Sequence, residues 1–176
     1  MERVEPLVTG RGEVFISYAH EDAVYLQEVR KLADNLRAWG VDAWIDQYIE
    51  LPGPAKGWPH WMQELIEKAA AVLVVCGPKY LRRVKKEEAL GVGHGATWEG
   101  HLIWQQLYNA GAVNRKFVPV LLRAEFAPCI PLPLQAFNHY KLYEPDGFER
   151  LYRDLTGQPR VIAPPLGRPR TLPPAP

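Results

Sequence analysis

The stretch that most constrains the fold is Val14–Asp22, which reads VFISYAHED. Its consecutive Val, Phe and Ile predict a strand, Val14–Tyr18, that is buried on both faces, as strands of a parallel sheet are. Asp22 stands where a helix N-cap is expected, since its side-chain oxygen can accept from the first backbone N–H groups of a helix. Open α/β sheets meet ligands and partners where strands end and helices begin. Ser17, Tyr18 and the turn after them are therefore the first candidate site residues.

The rest of the chain alternates short apolar runs with amphipathic segments. Further strands are predicted over Val41–Asp46, Ala71–Cys76, Phe117–Leu122 and His139–Tyr143. Helices are predicted over Asp22–Trp39, Pro59–Ala70, Trp98–Asn109 and Phe148–Leu155, with Gly77–Gly95 as a long connection. Pro119 indicates a bulge or an edge-like position in the fourth strand. The alternation predicts an α/β fold, with a parallel sheet and helices on both of its faces.

Length and composition predict a single domain with tails. The 176 residues divide into a lead over 1–12, a domain over 13–158 and a tail over 159–176, in which seven residues are proline. Lys and Arg number 21 against 20 Asp and Glu, and this balance argues against a nucleic-acid or anionic-membrane role. The longest apolar run, Ala69–Cys76, is too short to span a bilayer. Without a signal-peptide pattern, and with Cys76 and Cys129 as the two cysteines, a cytoplasmic location is expected.

The segments VFISYAHED, WGVDAWID, AVLVVC, TWEG and KFVPVLL follow one another in an order that resembles the TIR domain superfamily. The resemblance covers Glu13–Gly157 and is closest to the SEFIR-like bacterial branch. It implies a flavodoxin-like three-layer fold with a five-stranded parallel sheet. It also implies one of two functions: cleavage of NAD at the nicotinamide–ribose bond, or non-catalytic adaptor work through homotypic contacts. Bacterial members often serve in antiphage defence, fused to a sensor domain.

Glu99 is the candidate catalytic residue that the resemblance implies. NAD cleavage creates an oxocarbenium-like ribosyl centre, which a carboxylate stabilises. A glutamate in a first helical turn also favours the helix macrodipole whatever its function, so both interpretations stay open. Animal NAD-cleaving members carry a tryptophan one turn before the glutamate, whereas this chain has Gly95 there and Trp98 next to Glu99. Trp98 either stacks on a ligand ring or packs its helix onto the sheet.

The resemblance also implies that Phe15, Ser17 and Tyr18 line a nucleotide pocket. Alternation along the strand places Phe15 and Ser17 on one face, with Phe15 in the core. Ser17 either donates a hydrogen bond to ribose or phosphate or caps the following turn. Asp46, which ends the second strand, either orients the next loop or contacts ligand.

The resemblance also implies that the loop over residues 47–58 gates the pocket and makes assembly contacts between copies of the chain. Its prolines and glycines fit a movable lid, and Tyr48, Ile49 and Leu51 suit an interface if they are exposed. His94, Glu99 and His101 do not follow a metal-binding spacing, so no metal is expected. The resemblance implies NAD as the substrate and no separate cofactor. The proline-rich tail suggests a fused or separate sensor domain. The sequence thus predicts an assembly-activated NAD-cleaving effector, with a pure adaptor as the alternative.

Overall fold

Five parallel strands form a single sheet in a computed structural model that describes residues 13–85, 105, 114 and 116–175. The strands are β1 (Glu13–Ser17), β2 (Asp42–Trp44), β3 (Ala71–Val75), β4 (Phe117–Leu121) and β5 (Tyr140–Lys141). Their spatial order is β2-β1-β3-β4-β5, and each neighbouring pair is parallel. The expected five-stranded parallel sheet is confirmed. β1 has its predicted length but begins one residue earlier, and the other four strands are one to three residues shorter than predicted.

Four α-helices connect the strands within the described residues. They are α1 (Ala23–Ala38), α2 (Trp58–Lys68), α3 (Pro78–Val84) and α4 (Gly147–Thr156). Short 3₁₀ turns cover Asp46–Tyr48, Ala124–Cys129 and Leu132–Leu134. The helices α1, α2 and α4 confirm the sequence predictions to within two residues at each end. The helix predicted over Trp98–Asn109 falls, except for Gln105, outside the described residues.

The expectation of a simple connection after β3 is wrong for its first half. Residues Pro78–Val84 form α3, with the proline in the first turn, where its missing N–H costs nothing. The charged, basic appearance of this segment hid its helical pattern, because only Tyr80 of the helix is buried. The second half of the connection, residues 86–95, falls outside the described part of the chain.

The sheet separates two apolar cores. Val14 and Ile16 of β1 face the core formed with α1 and α4, whereas Phe15 faces the core formed with α2 and α3. The same alternation divides β3, so that Leu73 and Val74 belong to opposite cores. Side chains of successive strand residues point to opposite faces, and a strand covered on both faces is therefore apolar throughout. This arrangement confirms helices on both faces of the sheet.

The helix ends follow the expected chemistry. Asp22 caps α1 by accepting from the Tyr25 backbone N–H at 2.8 Å. Gly157 ends α4 in the left-handed region, at φ +65°, which glycine adopts without the steric penalty of a Cβ. These caps set the residue at which α1 begins and the residue at which α4 ends.

Of the two alternatives predicted for Pro119, the structure shows no bulge but an edge-like setting, although β4 is an internal strand. Pro119 pairs with Val74 in an unbroken register, and β4 lies between β3 and β5. The Leu142 N–H donates to the Leu121 carbonyl at 2.8 Å, so odd-numbered residues of β4 face the side of β5. Because β5 pairs only with Val120 and Leu121, the nitrogen of Pro119 faces a stretch that β5 does not reach. An internal strand accommodates the proline there without losing a ladder hydrogen bond.

The chain after α4 runs along the outside of the domain. Residues 159–175 are exposed and form neither helix nor strand. The guanidinium of Arg160 lies 3.7 Å from the Asp146 carboxylate, at the start of α4. In the part of the chain that the structure describes, no helix has the length and apolar character needed to cross a membrane.

Candidate functional site

Tyr18, His20, Asp46 and Gln47 meet at the carboxyl edge of the sheet, where β1 and β2 end. The Tyr18 hydroxyl donates to the Asp46 carboxylate, and Gln47 Nε2 donates to the Tyr18 hydroxyl at 2.9 Å. His20 Nε2 lies 3.2 Å from the other Asp46 carboxylate oxygen, and the His20 ring stacks on the Tyr18 ring at 5.5 Å between centroids. This cluster joins the turn after β1 to the first residues of the loop after β2.

Asp46 is the charged centre of this cluster. Burial raises the pKa of Asp46, but hydrogen bonds from His20 and Tyr18 outweigh that effect, so its pKa lies below the ordinary value. The carboxylate is therefore ionised at neutral pH, with both oxygens engaged by side chains of the β1 turn. The described contacts of Asp46 join the start of the loop to the β1 turn, and a contact between Asp46 and a ligand stays a prediction.

Phe15 and Ser17 lie inside the core on the α2 and α3 side. Ser17 is 1% exposed, and its Oγ is 2.9 Å from the Tyr80 hydroxyl of α3. Phe15 is buried and meets the edge of the Trp61 ring of α2 at 6.0 Å between centroids. Phe15 is thus a core residue, as the strand alternation predicts. Both side chains contact residues of the helices that cover this face.

Glu21 holds the amino-terminal end of α3, a role that the sequence analysis missed. Its Oε1 accepts from the backbone N–H of Lys79 at 2.7 Å and lies 3.4 Å from the backbone nitrogen of Tyr80. The Lys79 ammonium in turn donates to the backbone carbonyls of His20 and Glu21, each at 2.8 Å. Because the residue at the N-cap is Gly77, which has no side chain, the cap comes from the β1 turn. In the sequence, the Gly77-Pro78 pair is the signal that a helix starts here.

This cap lies at the strand-order reversal of the sheet. In the order β2-β1-β3-β4-β5 the reversal falls between β1 and β3, the crevice in which open α/β folds bind ligands. The N-terminus of the helix after β3 attracts anions such as phosphate through its free N–H groups. In this chain the Glu21 carboxylate already accepts from those groups. A ligand phosphate therefore has to displace Glu21 to bind at the amino-terminal end of α3.

The loop after β2 presents Leu51 to solvent. Leu51 is 92% exposed, and the Leu51–Pro52 peptide bond is cis. Behind it, Gly53 has φ +92° and passes over the Trp58 ring, where a Cβ would lie 3.3 Å from a ring carbon. Trp58 meets Trp61 edge to face at 5.6 Å, which fixes the far end of the loop on α2.

The near end of the loop is fixed by Tyr48. Its ring packs against the core on the α1 side, and its hydroxyl donates to Asp34 of α1 at 2.5 Å. Burial, together with the Asp34 carboxylate, raises the pKa of Tyr48 to about 12. Of the three apolar side chains expected to suit an interface, Tyr48 and Ile49 are only partly exposed, and Leu51 is the one that projects.

An open groove of about 230 Å³ lies on the same face of the sheet as α1 and α4. Its apolar wall consists of Leu122, which directly follows β4, Leu142, which directly follows β5, and Phe148 of α4. Polar side chains of α1 form the opposite wall, with Lys31 and Asn35 among them. The groove therefore combines an apolar wall with a polar rim.

The remaining predicted site residues, Trp98 and Glu99, fall outside the described residues, as do His94 and His101. Within residues 13–85 and 116–175, no three His, Cys, Asp or Glu side chains come together in a way that could hold a metal ion.

Comparison with known proteins agrees with this fold. A family model for the TIR domain matches residues 14–155. The crystal structure of a prokaryotic SEFIR domain superposes with a TM-score of 0.63 at 24% identity, covering 89% of this chain and 100% of that one. At that identity the likeness shows a shared fold. No curated protein matches the chain. Because the family model spans most of the sequence and the sheet has the matching strand order, the chain belongs to the TIR domain family.

Proposed function

We propose that this chain is a signalling domain that acts by assembling with further copies of itself or with related TIR or SEFIR domains, in bacterial antiphage signalling. The observation that carries the proposal is Leu51, a large apolar side chain that is 92% exposed. It stands on a loop whose ends are held by Asp46 and Tyr48 on one side and by Trp58 on the other. An exposed apolar group on a fixed support suits an interface, because little conformational freedom is lost on binding.

The groove beside Leu122, Leu142 and Phe148 is the acceptor for this loop in a second copy. It offers apolar side chains for Leu51, and its rim carries Lys31, which can pair with the exposed Glu50 of the incoming loop. The rim also carries Glu28, whose carboxylate is already paired with Arg123 at 3.0 Å. The loop follows β2 and the groove adjoins β5, and these two strands are the opposite edges of the sheet. A contact between two different surfaces is heterologous and continues into open chains unless its rotation closes a ring.

Sedimentation velocity over a concentration series tests this proposal. Leu51→Asp places a charge in the apolar contact, and Asn35→Arg places a long cation across the groove. We expect each variant to remain monomeric where the parent assembles. An equimolar mixture of the two forms dimers but nothing larger, since each still offers one intact surface. Leu132→Asp is the matched control, because Leu132 is 73% exposed elsewhere and its change leaves assembly unaffected. Assembly of Leu51→Asp at parental concentrations contradicts the proposal.

NAD cleavage is the second candidate function, and one observation favours it. Tyr18 and Asp46 meet at the carboxyl edge of the sheet, beside the strand-order reversal where open α/β folds bind ligands. In this proposal the Glu99 carboxylate stabilises the ribosyl cation as the nicotinamide–ribose bond breaks, with Trp98 beside it. Nicotinamide leaves with the bonding electrons, and water or a second nucleophile adds to the ribosyl carbon.

A nicotinamide-release assay over the same concentration series separates the two functions. If the chain cleaves NAD, product appears in step with assembly, and Glu99→Gln abolishes it without changing the sedimentation profile. Glu125→Gln, an exposed glutamate after β4, is the control that retains activity. Assembly of the parent protein without any NAD loss assigns the chain to the adaptor class.

A further inference from the structure

The chain beyond α4 carries a second kind of recognition element. Residues 161–175 are exposed throughout, and in the described chain no hydrogen bond or ion pair joins them to the domain after the contact between Arg160 and Asp146. Apolar side chains stay in water along this segment, with Leu172 80% exposed. Proline recurs at short intervals and removes backbone N–H donors. Such a segment favours the polyproline II conformation, which needs no internal hydrogen bonds.

The final seven residues, RTLPPAP, have a regular arrangement in that conformation. Polyproline II has three residues per turn, so residues three apart share an edge. Arg170 and Pro173 lie on one edge together with Pro176, whose position follows from the sequence because it is outside the described residues. Leu172 and Ala175 share the adjacent edge. The helix thus presents two apolar-proline pairs about 9 Å apart, one turn after a guanidinium.

We propose that residues 170–176 bind the aromatic-lined groove of an SH3-type partner domain. Such grooves accept apolar-proline pairs in successive pockets between aromatic rings. Leu172-Pro173 and Ala175-Pro176 fill the two pockets, and Arg170 pairs with acidic side chains that flank the groove. The single basic residue at the amino-terminal end of the motif sets the direction in which the peptide lies. A proline-rich segment favours this extended conformation before it binds, so binding costs little ordering entropy.

The position of the motif leaves room for such a partner. Roughly ten residues separate Arg160 from Arg170, a span of about 30 Å in polyproline II. This role does not depend on assembly or on NAD cleavage, and it gives the tail a recognition function in addition to that of a spacer.

Titration of the whole protein into a purified SH3 domain that prefers ligands with the basic residue first tests the proposal. Isothermal titration calorimetry reports occupancy, because the six tryptophans of this chain would obscure the fluorescence of a groove tryptophan. We expect saturable binding, and a loss of at least about tenfold in affinity when the pockets are emptied by the double change Pro173→Ala and Pro176→Ala. The matched control, Pro164→Ala with Pro165→Ala, removes the same number of prolines from the same tail and leaves the affinity within about twofold.

Charge variants test the direction of binding. Arg170→Glu weakens binding severalfold more than Arg168→Glu, although both change the tail charge equally. The tail variants lie outside the folded domain, so misfolding does not confuse the result. The proposal is overturned by absence of saturable binding, by equal losses from the two proline pairs, or by equal losses from the two arginine changes. Equal losses mean that composition, and not the register of the motif, accounts for binding.

Discussion

The cap that Glu21 provides to α3 predicts a coupling between two residues far apart in the sequence. A Cβ added to Gly77 would lie 2.5 Å from Glu21 Oε1 and 3.1 Å from its carboxyl carbon. The backbone of Gly77, with φ −157° and ψ 169°, is extended and suits alanine without strain. Gly77→Ala therefore leaves the backbone in place and displaces the carboxylate from the Lys79 and Tyr80 N–H groups.

Gly77→Ala has two effects on the free energy of unfolding, and these effects have opposite signs. Loss of a helix cap costs about 1 kcal/mol, within a range of about 0.5–2 kcal/mol. Replacing glycine by alanine at a compatible position stabilises by about 0.4–1 kcal/mol, because it restricts the unfolded chain. With a cap worth about 1 kcal/mol, the change in the parent protein is therefore neutral or destabilises by up to about 0.6 kcal/mol. In a Glu21→Ala background the cap is already gone, and the same change stabilises by about 0.4–1 kcal/mol.

Urea denaturation of the parent, both single variants and the double variant measures this coupling, with tryptophan fluorescence as the signal. We expect an interaction free energy of about 1 kcal/mol, well above the error of such a cycle. Gly167→Ala, in the exposed tail with nothing within 4 Å of its Cβ, is the control with no effect. Additive effects within about 0.3 kcal/mol refute the assignment of Glu21 as the cap of α3.

Three further predictions concern stability. Because the pKa of Asp46 is lowered in the folded protein, its contribution to stability is complete above its unfolded value of about 3.9 and disappears as the pH falls through the folded value. Asp46→Asn therefore costs roughly 1 kcal/mol in urea denaturation at pH 7, and the difference shrinks near pH 3. Leu73→Ala, in the central strand, costs about 2–5 kcal/mol, whereas Leu51→Ala, at a solvated position, changes stability by less than about 0.5 kcal/mol. Removing residues 161–175 leaves the thermal midpoint unchanged.

The sheet was predictable because its strands are covered on both faces. Runs such as Ala71–Cys76 have no polar residue to place on a solvated side, and the intervening helices carry apolar stripes, so a parallel α/β sheet is the arrangement that buries both. The exact strand ends were less predictable, since β2 covers only Asp42–Trp44 although the strand was predicted over Val41–Asp46. Strand ends depend on the partner strand, which local sequence does not specify.

The site was less predictable than the sheet, because its contacts join residues distant in sequence. The Asp46 carboxylate was expected at the end of the second strand, but its partners Tyr18 and His20 follow from the packing of β1 against β2. Glu21 appeared to be one of several charges in a turn, and its role depends on α3 lying beside that turn. The segment with Glu99, on which catalysis depends, remains a prediction.

The turn after β1 connects the loop after β2 to α3 at the carboxyl edge of the sheet. Tyr18 and His20 hold Asp46 at the start of the loop that carries Leu51, while Glu21 and Lys79 join the same turn to α3. The polar groups of this turn that a ligand would need are therefore already engaged in supporting neighbouring elements. Within the described residues, Leu51 at the loop tip and Leu172 in the tail are large apolar side chains that stay in water. The proposed assembly and tail contacts use these exposed side chains and leave the engaged polar groups of the turn in place.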